Sequence, residues 1–274
     1  MAILLFTGCS ATRNLELAAS RMIVSSSTEQ ALGNQYHGEI EKQYEIINDP
    51  AAQAWLDRVG ALLVAYSPPT KQEFKFYLTA SPAVNAFAIP GGHCYINVGL
   101  INYAENEAQV VAVVGHEINH VTRRHGIVQV QRNAGLQAVV VAGSFLIRNP
   151  AAKTATILAG SGGTYLASRK FGRDDEREAD KYGVEAMYQA GYDPREGARF
   201  FERLNALYEG NTPSWLESIT STHPPTLERV KNINKQVESY DLNRPLIVNS
   251  PEFEAIQARL RVLYPPEQDT ESGS

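Results

Sequence analysis

The chain is sparing with the residues that would mark several large classes of protein. Its 274 residues include two cysteines, three methionines and two tryptophans. Two cysteines cannot make a disulfide-stapled scaffold, and a structural zinc site is a poor reading, because such sites usually have four protein ligands, often cysteines, and neither cysteine is placed to help. A Cys9–Cys94 bridge is permitted in an oxidising compartment, but nothing in the sequence specifies it. No stretch reaches the ~20 apolar residues that span a bilayer as a helix. Basic residues are outnumbered, 25 Lys and Arg against 30 Asp and Glu, and they form no stripe. A general nucleic-acid surface is therefore not expected. There is also no internal repeat and no Ser/Gly-rich linker. With hydrophobic residues at 43%, we read one domain over residues 26–264, after a leader-like segment 1–25 and before a polar, disordered tail 265–274.

What the chain does have is His116-Glu117-Ile118-Asn119-His120. Four residues make about 1.1 helical turns, so the two histidines project from one face and can reach a single small cation. Glu117 lies close enough to act on water at that cation. Apolar residues at Val110, Val111, Val113, Val114, Ile118 and Val121 predict a helix over about 104–124 with a wide buried stripe. Asn102 and Glu105 have capping-box spacing, and Gly126 reads as the stop. Gly115 leaves room for a close neighbour. His125, in the last turn with Arg123 and Arg124, reads as a capping or supporting residue rather than a ligand.

A catalytic zinc takes three protein ligands and keeps one position open. The candidate for the third is in Arg173-Asp174-Asp175-Glu176-Arg177-Glu178-Ala179-Asp180. Glu176 and Asp180 share a helix face, whereas Glu178 points elsewhere. One carboxylate can bind the metal while the other accepts the outer N–H of a ligating histidine.

His-Glu-x-x-His followed by Glu-x-x-Ala-Asp resembles the gluzincin metallopeptidases of the HtpX and CAAX-prenyl-protease type. Asn85-Ala86-Phe87-Ala88-Ile89-Pro90-Gly91-Gly92 is similar to the family's segment ahead of the active-site helix, continued by Gly99-Leu100-Ile101. Thr222-His223-Pro224-Pro225 with Arg229 resembles its downstream His-Pro motif, and the likeness covers roughly residues 30–235. It implies a mainly α structure with a small β-sheet, the α+β zincin-like fold. It also implies one Zn2+ bound by His116, His120 and Glu176, with Glu117 as catalytic base and Asp180 behind the ligands. His223 would lie beside the metal, steadying the reacting carbonyl or filling the open position. Some membrane members carry Asn where this chain has Gly172, which puts the membrane branch in doubt but not the metal site; with no spanning apolar run, the chain looks like the soluble, envelope-facing branch.

The residues support peptide hydrolysis directly. Zinc held by two neutral imidazoles and one carboxylate brings the ionisation of water near pH ~7. Glu117 then carries the proton to the leaving amine, and His223 or Arg229 is expected to help hold the developing oxyanion. Substrate is expected as an extended chain. Strands are predicted at 74–78, 86–89 and 95–98, with a type II turn at Ile89-Pro90-Gly91-Gly92. Asn85, Ala86 and Phe87 would form the edge along which a peptide adds as a further strand; a sheet that only buttresses the helix is compatible with this.

The rest reads mainly helical, over 28–47, 50–66, 194–208, 226–237 and 252–263. Residues 150–173 read as a flap with hinges at Gly160, Gly162 and Gly163, and 138–147 as an apolar run packed on the core or lining a lid. Ala2–Leu5 ahead of Cys9 resembles the end of a bacterial lipoprotein signal. It predicts a lipid anchor at Cys9 and a place on the periplasmic face of the cell envelope. Two functions compete: a zinc endopeptidase for unfolded or misassembled envelope proteins, and a chaperone whose zinc site is plugged by His223 and cuts seldom.

Overall fold

The computed structural model describes residues 20, 24–136, 171–208 and 214–266. The expectations for Cys9, the apolar run 138–147, the hinge glycines at 160–163 and most of the tail lie outside the described residues. Two helices come first, α1 (Ser26–Ile40) and α2 (Pro50–Ala65), followed by strands β1 (Lys75–Thr79), β2 (Ala86–Ile89) and β3 (His93–Asn97). Helices α3 (Val98–Tyr103), α4 (Glu107–Thr122) and α5 (His125–Leu136) follow directly. Beyond the next described segment's start come α6 (Arg173–Gln189), α7 (Arg195–Tyr208), α8 (Ser214–Thr222), α9 (Leu227–Val237) and α10 (Pro251–Leu263). The architecture is α+β, mainly helical with one small mixed sheet, as the sequence implies.

Helix α4 is the axis of the fold. All sixteen of its residues are buried, more than the one-sided stripe expected from its valines, because α2, α6, α7 and the sheet enclose it from every side. It also starts later than the spacing suggests. Asn106 caps it by accepting the Gln109 N–H at 3.1 Å, while Asn102 belongs to the separate helix α3 and donates to the Tyr264 carbonyl. The trigger is Ala104, whose extended backbone (ψ 140°) breaks the pattern between the two helices. The expected stop at Gly126 is likewise displaced: the helix ends at Thr122, Arg124 adopts φ 56°, and Gly126 lies inside α5.

The sheet order is β1-β3-β2, with β1 parallel and β2 antiparallel to β3. The hairpin pairs Phe87 with Tyr95 and Ile89 with His93. Its turn needs positive φ, which Gly91 (87°) and Gly92 (90°) supply. The first helix is shorter than expected because Ile46 leaves it to bridge Thr79 at the edge of β1. One core of buried side chains runs from Ile47 on to Leu260, with Trp55, Phe200 and Phe253 among its members. A second, between α1, α5 and the hairpin, includes Tyr36, Phe87 and Tyr95. Among the described residues no helix is long and apolar enough to cross a membrane.

Candidate metal centre

Helices α4 and α6 meet where neither has a side chain. A Cβ on Gly115 would lie 3.2 Å from the Gly183 carbonyl, and one on Gly183 only 2.9 Å from the His116 amide. The room expected beside Gly115 is filled by this contact, and the approach sets Glu176, two turns before Gly183, against the two histidines. The Glu176 carboxylate oxygens are each 3.5 Å from an imidazole, Oε2 from His116 Nε2 and Oε1 from His120 Nε2. The two Nε2 atoms are 2.9 Å apart. His223, at the end of α8, brings Nδ1 within 2.9 Å of Glu176 Oε1 and 3.3 Å of His116 Nε2. The donor atoms of His116, His120, Glu176 and His223 all lie within 4.8 Å of one another, and all four residues are buried.

These residues fit a metal ion. A tetrahedral ion with ~2.0–2.1 Å bonds to nitrogen spaces its ligand atoms by about 3.3 Å, the spacing seen here. Three imidazole nitrogens and a carboxylate oxygen converging in one buried space are a donor set that suits a divalent ion such as zinc.

The surroundings hold the cluster from behind. His116 Nδ1 meets Asp180 Oδ1 at 2.9 Å, and Arg229 grips Asp180 through Nε at 2.8 Å and Nη2 at 2.7 Å. The third guanidinium nitrogen, Nη1, is 2.9 Å from Glu176 Oε2, and the guanidinium lies over the Phe201 ring at 4.3 Å. Arg229 is thus committed to two carboxylates and has no nitrogen left for a reacting carbonyl, which removes it as an oxyanion partner. His120 stacks on Phe171, ring centroids 3.9 Å apart.

Electrostatics follow from this packing. Burial opposes charge on His116, but Asp180 and Glu176 outweigh it and push its pKa up to about 9. Burial dominates at His120 and holds its pKa well below the usual value, so it is neutral with a lone pair to give. Burial alone would raise Glu176, yet the charges of His223, Arg229 and His116 hold its carboxyl well below the ordinary range. Asp180 is lowered in the same way, chiefly by Arg229 against its own burial.

Glu117 faces the cluster from the same turn. Its Oε2 accepts the Ala88 N–H at 3.0 Å, and its Oε1 is 3.4 Å from His223 Nε2. This locates the substrate-strand candidates. The Asn97 N–H donates to the Asn85 carbonyl, so alternate residues of this antiparallel pair, Asn85 and Phe87, turn their main chain to β3. Ala86 and Ala88 turn theirs outward, toward α4. The Phe87 side chain is a core residue, stacked on Tyr95 at 4.8 Å. The Asn85 amide donates to Ser218 Oγ on α8 at 2.6 Å, tying the strand to the helix that presents His223.

Two participants escaped the sequence reading. Glu178 and Arg123 pair at 2.6 Å, and Glu178 Oε2 reaches His125 Nε2 at 3.0 Å. The place of Glu178, two residues beyond Glu176, sends it to the other side of the histidine pair. That offset was visible, but its partner was not.

A buried cluster of two histidines four apart on one helix, a carboxylate from a second helix and an adjacent glutamate defines a metallopeptidase-type centre. The chain belongs to peptidase family M48, whose family model matches residues 50–237, and it is a metallopeptidase by that membership. It is 31% identical over 249 residues to the beta-barrel assembly-enhancing protease of Escherichia coli (strain K12), covering 88% of this chain and 50% of that protein. It is 25% identical over 228 residues to the mitochondrial metalloendopeptidase OMA1 of Schizosaccharomyces pombe, covering 81% of this chain and 64% of that protein. With metalloprotease YcaL of Escherichia coli (strain K12) the identity is 24% over 245 residues, covering 86% of this chain and 93% of the relative. The chain spans about half the length of the beta-barrel assembly-enhancing proteases it matches.

Proposed function

We propose that this protein is a zinc-dependent endopeptidase that cuts extended segments of unfolded or misassembled proteins of the bacterial envelope. The observation that carries the reading is the placing of Glu117 between the ligand cluster and the outward main chain of β2. His116, His120 and Glu176 would hold the ion, with Asp180 and Arg229 fixing His116 and Glu176. Zinc there supplies Lewis acidity, bringing the ionisation of water near neutral pH and polarising a carbonyl. A substrate strand laid along β2 takes over the Ala88 N–H and releases the Glu117 carboxylate, which then accepts a proton and returns it to the leaving amine. Among the described residues His223, 3.4 Å from Glu117, is the remaining side chain able to meet the reacting carbonyl. The envelope location and the periplasmic face rest on the lipoprotein-like start at Cys9 and on the bacterial relatives named for β-barrel assembly.

One observation favours a second reading. His223 sits inside the donor cluster, 2.9 Å from Glu176 and 3.3 Å from His116, as a fourth ligand would. A chain held in this state is latent: it binds extended protein as a chaperone and cuts only when His223 withdraws.

Cleavage of an unfolded protein by wild type, Glu117→Gln and His223→Ala, with and without a chelator, tests both. Zinc-dependent cleavage lost in Glu117→Gln supports the peptidase. Faster cleavage by His223→Ala supports latency, and slower cleavage supports a role at the carbonyl. Aggregation suppressed equally by wild type and Glu117→Gln, with no cleavage by any form, would overturn the enzyme reading.

A further inference from the structure

The two histidines of α4 are supported differently. The outer nitrogen of His116 goes straight to a carboxylate, Asp180, clamped by Arg229. The outer nitrogen of His120 goes to another imidazole: His125 Nδ1 is 2.9 Å from His120 Nδ1. His125 Nε2 then reaches Glu178 Oε2 at 3.0 Å, and Glu178 Oε1 pairs with Arg123 Nη2 at 2.6 Å. Asp175 Oδ1 stands 4.0 Å from the same nitrogen, too far to take the bond.

Proton accounting gives this chain one direction. If His120 turns the Nε2 lone pair inward, its proton is on Nδ1 and must be donated to His125. His125 therefore accepts on Nδ1, carries its own proton on Nε2, and donates it to Glu178. The run ends, like the Asp180 run, in a carboxylate held by an arginine.

The backbone is arranged to bring His125 there. Arg124 has φ 56°, a left-handed conformation that costs a side-chain-bearing residue about 1–2 kcal/mol. It turns the chain back at the end of α4, so that the residue after it faces His120. Its buried side chain is anchored to Glu29 Oε2 at 2.8 Å and the Val24 carbonyl at 2.7 Å, both near or on α1. Such a conformation persists only where the surroundings over-determine it.

We propose that His125 is a positioning residue for the metal ligand His120, passing its hydrogen bond to the Glu178–Arg123 pair and so fixing the tautomer that turns Nε2 toward the ion. The proposal rests on His120 ligating zinc, as read above. Losing such an outer partner typically weakens metal binding 10–100-fold. The test is zinc affinity, measured by competition with a chromogenic chelator, for wild type, His125→Leu, His125→Gln and Glu178→Ala. Unfolding in EDTA reports whether each variant folds. His125→Leu is expected to fold and to bind zinc 10–100-fold more weakly. His125→Gln keeps an acceptor for His120 and a donor for Glu178, and is expected to recover most of the loss; a purely space-filling role predicts no such rescue. Unchanged affinity in a folded His125→Leu, with wild type binding zinc normally, overturns the proposal and leaves the metal site standing. Wild type that binds no zinc would instead sink the metal reading itself. Should His125→Leu not fold, the imidazole nitrogen spectrum of zinc-loaded wild type decides. His125 protonated on Nε2 supports the relay, and a proton on Nδ1 overturns it.

Discussion

Gly115 and Gly183 face each other across the α4–α6 contact, and a Cβ on Gly183 would come within 2.9 Å of the His116 amide nitrogen. The proposed metal ligands His116, His120 and Glu176 sit on the two helices that this contact joins, so helix separation and ligand separation are one variable.

Gly183→Ala must therefore push α6 from α4 by several tenths of an ångström. Overpacking of this kind costs roughly 1–3 kcal/mol, offset in part by the better helix propensity of alanine. We expect lower stability in denaturant together with weaker zinc binding. Ala198→Gly, on α7 in the same core, serves as a control that lowers stability without touching zinc affinity.

Arg229 neutralises two buried carboxylates, Asp180 and Glu176. Arg229→Met keeps much of the volume and takes the guanidinium from both carboxylates, leaving them only their histidine partners, a loss of about 3–5 kcal/mol. Because a bound cation restores partial compensation for Glu176, added zinc should stabilise the variant by more than it stabilises wild type. Chemical denaturation with and without zinc measures this difference.

Metal removal is expected to lower the melting temperature. A ligand that binds only the folded state at 1,000 times its dissociation constant adds about 4 kcal/mol. Calorimetry across a zinc titration should show the rise, and the same titration on His116→Ala should flatten it.

Acid stability should depend on His93. It is buried in the hairpin, accepting from the Tyr77 hydroxyl on Nδ1 at 3.1 Å and donating from Nε2 to Asn34 Oδ1 at 3.1 Å. Burial, with the charges of His37 and Lys75, pushes its pKa down to about 4, against ~6.5 in the unfolded chain. Between those values the unfolded state binds the extra proton. Stability is then full above about pH 6.5 and falls as the pH drops toward 4, by roughly 3 kcal/mol in all. Stability curves of wild type and His93→Gln should converge as the pH falls through that window; parallel curves would refute the assignment.

Legibility in the sequence followed the range of the interaction. Motif spacing along one helix placed His116, Glu117 and His120 on a common face, and the Pro90-Gly91 pair at the β2–β3 turn placed one of its two positive-φ glycines. Boundaries were less readable. Asn102 and Asn106 both lie before the valine run, and the break at Ala104 that chooses between them is a matter of how α3 packs. The stop at Arg124 instead of Gly126 is harder still, since the left-handed arginine is held by Glu29, ninety-five positions earlier, and by the Val24 carbonyl.

Local periodicity and residue chemistry were enough to specify an HExxH helix, a carboxylate helix and the kind of ion they suit, because each depends on neighbours within a turn or two. The assignment of partners belonged to the folded chain. Arg229 to Asp180, His125 to Glu178 and His223 into the ligand cluster are contacts between distant segments, and their geometry arises from a glycine-to-glycine helix crossing that no single segment contains.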